Sequence, residues 1–425
     1  MMSIFPTARK CGLVVFVLVM ECGAIAAAPG GLDPAFGTGG KYQSDYYGTS
    51  MFGPAIGVQP DGRIIAVGKN FSGQDDDFAV VRLTSAGAFE SGTTEAFAPG
   101  KNEEAKAILI LPDGRTVAGG EGNAGGYAQH GVMRFLANGS LDPTFGNGGK
   151  VSVDFGRLSH VHSMALQADG KIVIVGESYG GANESRAAMA RLNTDGSLDT
   201  TFGQNGLVQA SFGEATNGHA VVIGADGQIT IGGYLENSTA TPASACFVAR
   251  FSASGRSDTS FGNGGVTLLD MGSDRSSFCH ALAVQPDGKT VIAGSSVRAG
   301  VGLAVVARFT AAGQLDTGFD GDGVVGAQFE PSALSDSEAS AVVLQADGKL
   351  VIGGHSDGKW GLARFTTTGA LDASFGNGGR MAFAFGRGVD DQIKSLAVQA
   401  DGKILAAGYS RDRDRYVLAV ARILN

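Results

Sequence analysis

Three of the chain's six histidines occupy equivalent places in a repeat. Seven residues before each of seven Asp-Gly pairs, at Asp61, Asp113, Asp169, Asp226, Asp287, Asp347 and Asp401, stand Pro54, Lys106, His162, His219, His280, Ser340 and Lys394. Neutral imidazole ligates metals and carries protons near neutral pH, and lysine attracts anions. If a fold gathers this position from every copy, Lys106, His162, His219, His280 and Lys394 form a polar ring. Such a ring binds an anion, or a metal through the three imidazoles. The competing reading is a strand-start position where polar residues cap exposed backbone. It is favoured because no carboxylate is fixed beside these histidines in sequence, as a metal site's supporting shell requires. The expectation is therefore no metal and no cofactor, with Lys106, His162, His219, His280 and Lys394 kept as the candidate ligand-binding ring and the three histidines as the candidate metal set.

The elements that must position this ring are strands. The Asp-Gly pairs recur every 52 to 61 residues, so one unit of about 57 residues is copied seven times. In the fifth copy Ala281 to Gln285 and Lys289 to Gly294 flank Pro286-Asp287-Gly288, a tight hairpin with positive φ at its glycine. Further β-rich runs follow at Leu303 to Phe309 and Val324 to Phe329, with no helical periodicity between them, which makes a four-stranded antiparallel meander. Large residues alternate with small ones along the first strand: Leu282 and Val284, Met164 and Leu166, Val342 and Leu344. That pattern suits sheets buried on both faces. A lone four-stranded sheet cannot bury both, so neighbours stack, and seven such sheets close into a ring. The fold class is all-β, a seven-bladed β-propeller of four-stranded antiparallel blades spanning residues 27–425, with the ring position on the innermost strand. Residues 41 to 47 read as a fourth-type strand that completes the last blade.

A second motif recurs between third and fourth strands: Leu32-Asp33-Pro34-Ala35-Phe36-Gly37, Leu141-Asp142-Pro143-Thr144-Phe145-Gly146, Leu198-Asp199-Thr200-Thr201-Phe202-Gly203 and Leu371-Asp372-Ala373-Ser374-Phe375-Gly376. The fifth and sixth units keep Asp258 with Phe261 and Asp316 with Phe319, whereas the second retains only Phe97. The phenylalanine reads as a plug between blades, and the aspartate as a turn residue bonding its own backbone. This motif, together with the x-Asp-Gly-Lys hairpin, resembles the delta-60 repeat family of bacteria, which implies a propeller-like fold over nearly the whole chain and implies no activity.

In an up-and-down meander the Asp-Gly hairpins share one end of the ring. The opposite end carries unlike segments, among them Lys69 to Asp77, Glu121 to Gly131, Glu177 to Arg186, Tyr234 to Ala245 and Tyr409 to Tyr416. Variable loops on a rigid scaffold are the usual seat of binding, so this end is the expected partner face. His355 and the lone Trp360 fall there, where the indole could stack on a sugar or pack between blades. Gly120-Glu121-Gly122-Asn123-Ala124-Gly125 matches a dinucleotide fingerprint, but no helix follows it. Asp75-Asp76-Asp77 and Asp320-Gly321-Asp322 lack the spaced ligands of a calcium loop.

Arg9 and Lys10, the apolar run Cys11 to Met20 and the small-residue stretch ending in Ala26 read as a secretory signal peptide over residues 1–26. The remainder is expected to be secreted or periplasmic, without a membrane span, and monomeric. A net charge of −9 without a basic block argues against nucleic acid as a partner. Cys246 and Cys279 remain after cleavage, a candidate disulfide if the fold brings them together and buried thiols otherwise. Function then divides in two: a non-catalytic module binding a protein or carbohydrate through its variable loop face, or a hydrolase or lyase acting on a carbohydrate or lactone at the channel mouth.

Overall fold

The computed structural model describes residues 28–44, 51–71, 75–123, 126–181, 184–236, 244–269, 271, 275–330, 336–386, 390–412 and 415–425. The signal-peptide expectation lies outside them, as do the centres of several of the unlike loops. Among the described residues there are 28 strands and no helix. No helix is long and apolar enough to cross a membrane.

Consecutive strands pair antiparallel in meanders. Met51–Val58, Ile64–Phe71, Asp76–Leu83 and Phe89–Glu95 form one four-stranded sheet, and three more follow its order. Ser159–Leu166 through Leu207–Ala210 and Ala215–Ile223 through Val266–Leu269 are two further meanders, merged into one eight-stranded sheet by a single parallel pair, Ser185 with Ala215. The last sheet takes Gln392–Val398, Ile404–Asp412 and Arg415–Ile423 from the C-terminus and Lys41–Gln43 from the N-terminus. That N-terminal strand pairs antiparallel with the C-terminal one, Tyr42 opposite Val420. Apolar cores fill the gaps between neighbouring sheets. One of them unites Ile56, Ile64 and Leu83 of the first sheet with Leu405, Leu418 and Val420 of the last.

The recurring motifs supply the joints. Phe36, Phe145, Phe202, Phe261, Phe319 and Phe375 are all essentially inaccessible. Each has an arginine of its sheet's third strand over its ring, as Arg134 lies 4.4 Å from the centre of Phe145. The ring edge fits beneath a turn glycine of the next unit. A Cβ at Gly196, whose φ is +86°, would sit 2.9 Å from the Phe145 ring. The motif aspartate accepts from its own turn, Thr144 N to Asp142 Oδ1 at 3.0 Å, and its other oxygen takes Arg134 Nε at 2.8 Å. Where the first sheet lacks the Leu-Asp motif, Glu90 stands in, 2.8 Å from Arg63 and 3.7 Å from Arg82.

Cys246 and Cys279 are joined in a disulfide that ties the third strand of one meander to the first strand of the next, with Cα atoms 5.4 Å apart. Trp360 departs from its expected place. It lies in the strand Lys359–Phe365 with no exposed surface, its Nε1 donating to Tyr409 O at 3.2 Å and its ring against Phe383 and Phe385. The reason is local: Asp357 and Gly358 both take positive φ in a tight turn, so the strands run on where a longer loop was expected. Trp360 packs between sheets and is not part of a binding rim.

Candidate functional site: the channel mouth

Along each inner strand the pairing register slips once, and the slip falls at the ring position. It lies between Ala105 and Ala107, Val161 and Ser163, Gly218 and Ala220, and Cys279 and Ala281. The same slip occurs between Ala339 and Ala341 and between Ile393 and Ser395. The unpaired residue is Lys106, His162, His219, His280, Ser340 or Lys394, and a bulge of this kind turns its side chain out of the ladder. All six border one polar cavity of about 280 Å³ at the centre of the ring of strands, near the lower end for small-molecule sites.

The bulge leaves no room on the neighbouring strand. A Cβ at Gly176 would lie 1.6 Å from the carbonyl oxygen of His160, and Gly120, Gly233, Gly294, Gly354 and Gly408 would meet the equivalent carbonyl at 1.7 to 1.9 Å. Each glycine is followed by a residue of a second tier, Glu121, Tyr234, Ser295, His355, Tyr409 and, after Gly176, Glu177. His160, Glu104 and Glu338 sit across from this tier, opposite Glu177, Glu121 and His355 respectively.

Between the tiers the charges pair. Glu177 Oε2 lies 2.5 Å from His162 Nε2, and Glu121 Oε1 lies 2.5 Å from His160 Nδ1 and 2.8 Å from Lys106 Nζ. His280 Nε2 lies 3.4 Å from Glu338 Oε1. The imidazoles of His162 and His219 stack at 4.4 Å, with Tyr234 on the far side of His219 at 5.0 Å and His280 edge-on to it at 5.2 Å. Carboxylates therefore do stand beside the histidines. The sequence-level case against a ligand site rested on their lack, and it fails because they come from the adjacent strand or the next sheet. His355 is half-buried in the second tier rather than on an exposed loop.

Electrostatics follow from burial and pairing. Burial alone would raise Glu121, but His160 and Lys106 hold it down at about 2. Glu177 is likewise held down by His162 against the effect of burial. Burial would lower Lys106, yet Glu121 and Glu104 lift it above its usual value. Among the described residues no acid pairs with His219; burial, with His162, His280 and Lys106 nearby, holds its pKa far below the usual value. Burial also lowers His280 and Lys394, and pushes Tyr234 up to about 12. The result is a mouth where Glu121 and Glu177 are ionised and paired, His219 is neutral and the Tyr234 phenol keeps its proton. Donors, acceptors and flat ring faces are thus side by side.

The recurring segments match a family described as a domain of unknown function (DUF5122) beta-propeller, over residues 59–92, 111–145, 167–202, 285–319, 345–375 and 399–425. The chain is thus built of β-propeller repeats. No protein of curated function matches it. Among solved structures, a protein of unknown function from Dyadobacter fermentans aligns over 91% of this chain and 100% of its own at 11% identity and a TM-score of 0.48. Sqt1 from Chaetomium thermophilum, bound to the N-terminus of ribosomal protein L10, aligns over 90% and 98% at 13% identity and 0.48. Trypanosoma rangeli sialidase in complex with sialic acid aligns over 94% of this chain and 60% of its own at 13% identity and 0.48.

Proposed function

We propose that the chain is an exported, monomeric seven-bladed β-propeller whose working site is the channel mouth, where it binds a neutral, polyhydroxylated ligand of the carbohydrate class. Counting the eight-stranded sheet as two blades gives seven, and seven apolar cores, one between each neighbouring pair, support that count. The observation that carries the functional reading is one cavity bordered by Lys106, His162, His219, His280, Ser340 and Lys394, with Glu121, Glu177 and Glu338 paired to Lys106, His162 and His280. Paired carboxylates accept from hydroxyl groups, and the imidazoles of His162, His219 and His280 along the cavity wall offer nitrogen donors and acceptors to a ligand rich in hydroxyls. Lys106 is already neutralised by Glu121, so the site makes no strong demand for a charged ligand. The unlike loops then form a rim that selects among ligands.

The test is histidine side-chain NMR during titration with neutral mono- and disaccharides. Shifts confined to His160, His162, His219 and His280 support the reading, and invariance of all four at millimolar sugar defeats it. Catalysis at the same mouth is the second reading, favoured by His162, whose Nε2 is braced by Glu177 as a general base is braced. Turnover of glycosides or lactones that falls in His162→Ala would establish it.

A further inference from the structure

We infer that His162, Glu177 and His219 form a binding site for one divalent first-row transition ion such as zinc, open towards the channel. The donor atoms of these three side chains lie within 4.8 Å of one another. Two observations point to a ligand there. Glu177 is 6% exposed, and its Oε2, like His162 Nε2, is buried without hydrogen-bond geometry to any partner, although the two atoms approach to 2.5 Å. His219, its ring 4.4 Å from that of His162, brings a third donor nitrogen within 4.8 Å of the other two donors.

Two imidazoles and one carboxylate with a free fourth position make the donor set of a zinc site that holds water or a ligand. A tetrahedral ion about 2.1 Å from each donor sets the donors about 3.4 Å apart, so on loading His162 and Glu177 would part by about 1 Å and the His162 ring would turn out of its stack on His219 to aim its nitrogen at the ion. Stacked on the His219 ring, Tyr234 limits its tilt, and the disulfide anchors the strand that carries His280 beside it. This set replaces the histidine trio read from the repeat: His280 is held by Glu338, and Glu177 takes its place. The inference goes beyond the carbohydrate reading and stands without it, because the metal is tested alone.

The test is calorimetric titration of the metal-stripped, oxidised protein with zinc chloride, and with cobalt chloride for its visible absorption. The expected result is one ion per chain at micromolar affinity or better, with a four- or five-coordinate cobalt spectrum. Glu177→Gln and His219→Gln should each weaken binding about tenfold or more. His280→Gln should leave stoichiometry and affinity unchanged. Thermal melting of each variant in the stripped form keeps a folding defect distinguishable from a lost ligand. No binding by the parent at tens of micromolar zinc overturns the site. Unchanged affinity in Glu177→Gln, or loss in His280→Gln, overturns this donor set.

Discussion

Replacing Gly176 by alanine would strike the device that builds the channel mouth. The new Cβ would lie 1.6 Å from the His160 carbonyl oxygen, where carbon and oxygen ordinarily approach to about 3.3 Å. The neighbour is backbone inside a ladder, so no side chain can swing aside. Either the strands part by about 1.7 Å or the bulge at His162 is lost, and the second outcome pulls His162 away from Glu177. Overpacking that moves backbone costs about 3 kcal/mol or more. Spread over an unfolding entropy of about 2.1 cal/mol/K per residue, this lowers the melting temperature of a chain of this size by about 4 °C. Gly181→Ala is the control, since nothing lies within 4 Å of a Cβ there. Differential scanning calorimetry of the two variants, with histidine NMR on each, reads both consequences. If Gly176→Ala melts within about 1 °C of Gly181→Ala and keeps the parent's His162 signals, the reasoning is refuted.

Other expectations follow from the same geometry. Asp142 and Asp372 are nearly inaccessible; burial would raise them, but their Thr144 and Ser374 turns and the Arg115 and Lys349 partners hold both at about 2 against an ordinary 3.8. Depressed carboxylates stabilise the fold fully above their ordinary pKa and cease to as pH falls through the folded value. Each should therefore withdraw on the order of 2 kcal/mol between about pH 4 and 2, seen as a steep fall of melting temperature that Asp142→Asn makes shallower. Reduction of Cys246–Cys279, which closes a 33-residue separation, should lower stability by about 3 to 4 kcal/mol in denaturant melts, and no change would show that the bond constrains nothing in the unfolded chain. The single tryptophan, fully buried, should fluoresce in the blue and resist iodide quenching until the chain unfolds. Removing Arg422, whose Nε lies 2.8 Å from Asp33 Oδ2 across the joined termini, should cost about 1.5 to 3 kcal/mol in denaturant melts, the loss of one charge-assisted hydrogen bond, because Lys403 at 3.3 Å still pairs with the carboxylate.

What the sequence made legible is what the copies share. The Asp-Gly hairpins, the phenylalanine plugs and the common position of Lys106, His162, His219 and His280 all follow from comparing one unit with the next. Glu121, Glu177 and His160 escaped because their meaning depends on a one-residue bulge, which alters the strand period and cannot be seen in alternation alone. A signal was present nonetheless: each second strand carries a glycine followed by a polar or aromatic residue, as in Gly120-Glu121, Gly176-Glu177, Gly233-Tyr234 and Gly354-His355. A glycine at one fixed place inside an otherwise branched strand marks close backbone approach. Trp360 was misplaced for a different reason: Asp357-Gly358 is itself a hairpin turn, a shorter connection than the unlike segments of its neighbours suggest.

One spatial fact underlies the candidate site: bulged residues some 60 positions apart in the chain meet around a single cavity. Nuclear Overhauser spectroscopy on protein carrying labelled histidine measures it directly. Rings stacked at 4.4 Å for His162 and His219, and 5.2 Å apart for His219 and His280, predict strong cross-peaks between the ring protons of each pair, lost from both in His219→Gln. Well-resolved imidazole signals with no cross-peak between any two of these histidines would contradict it.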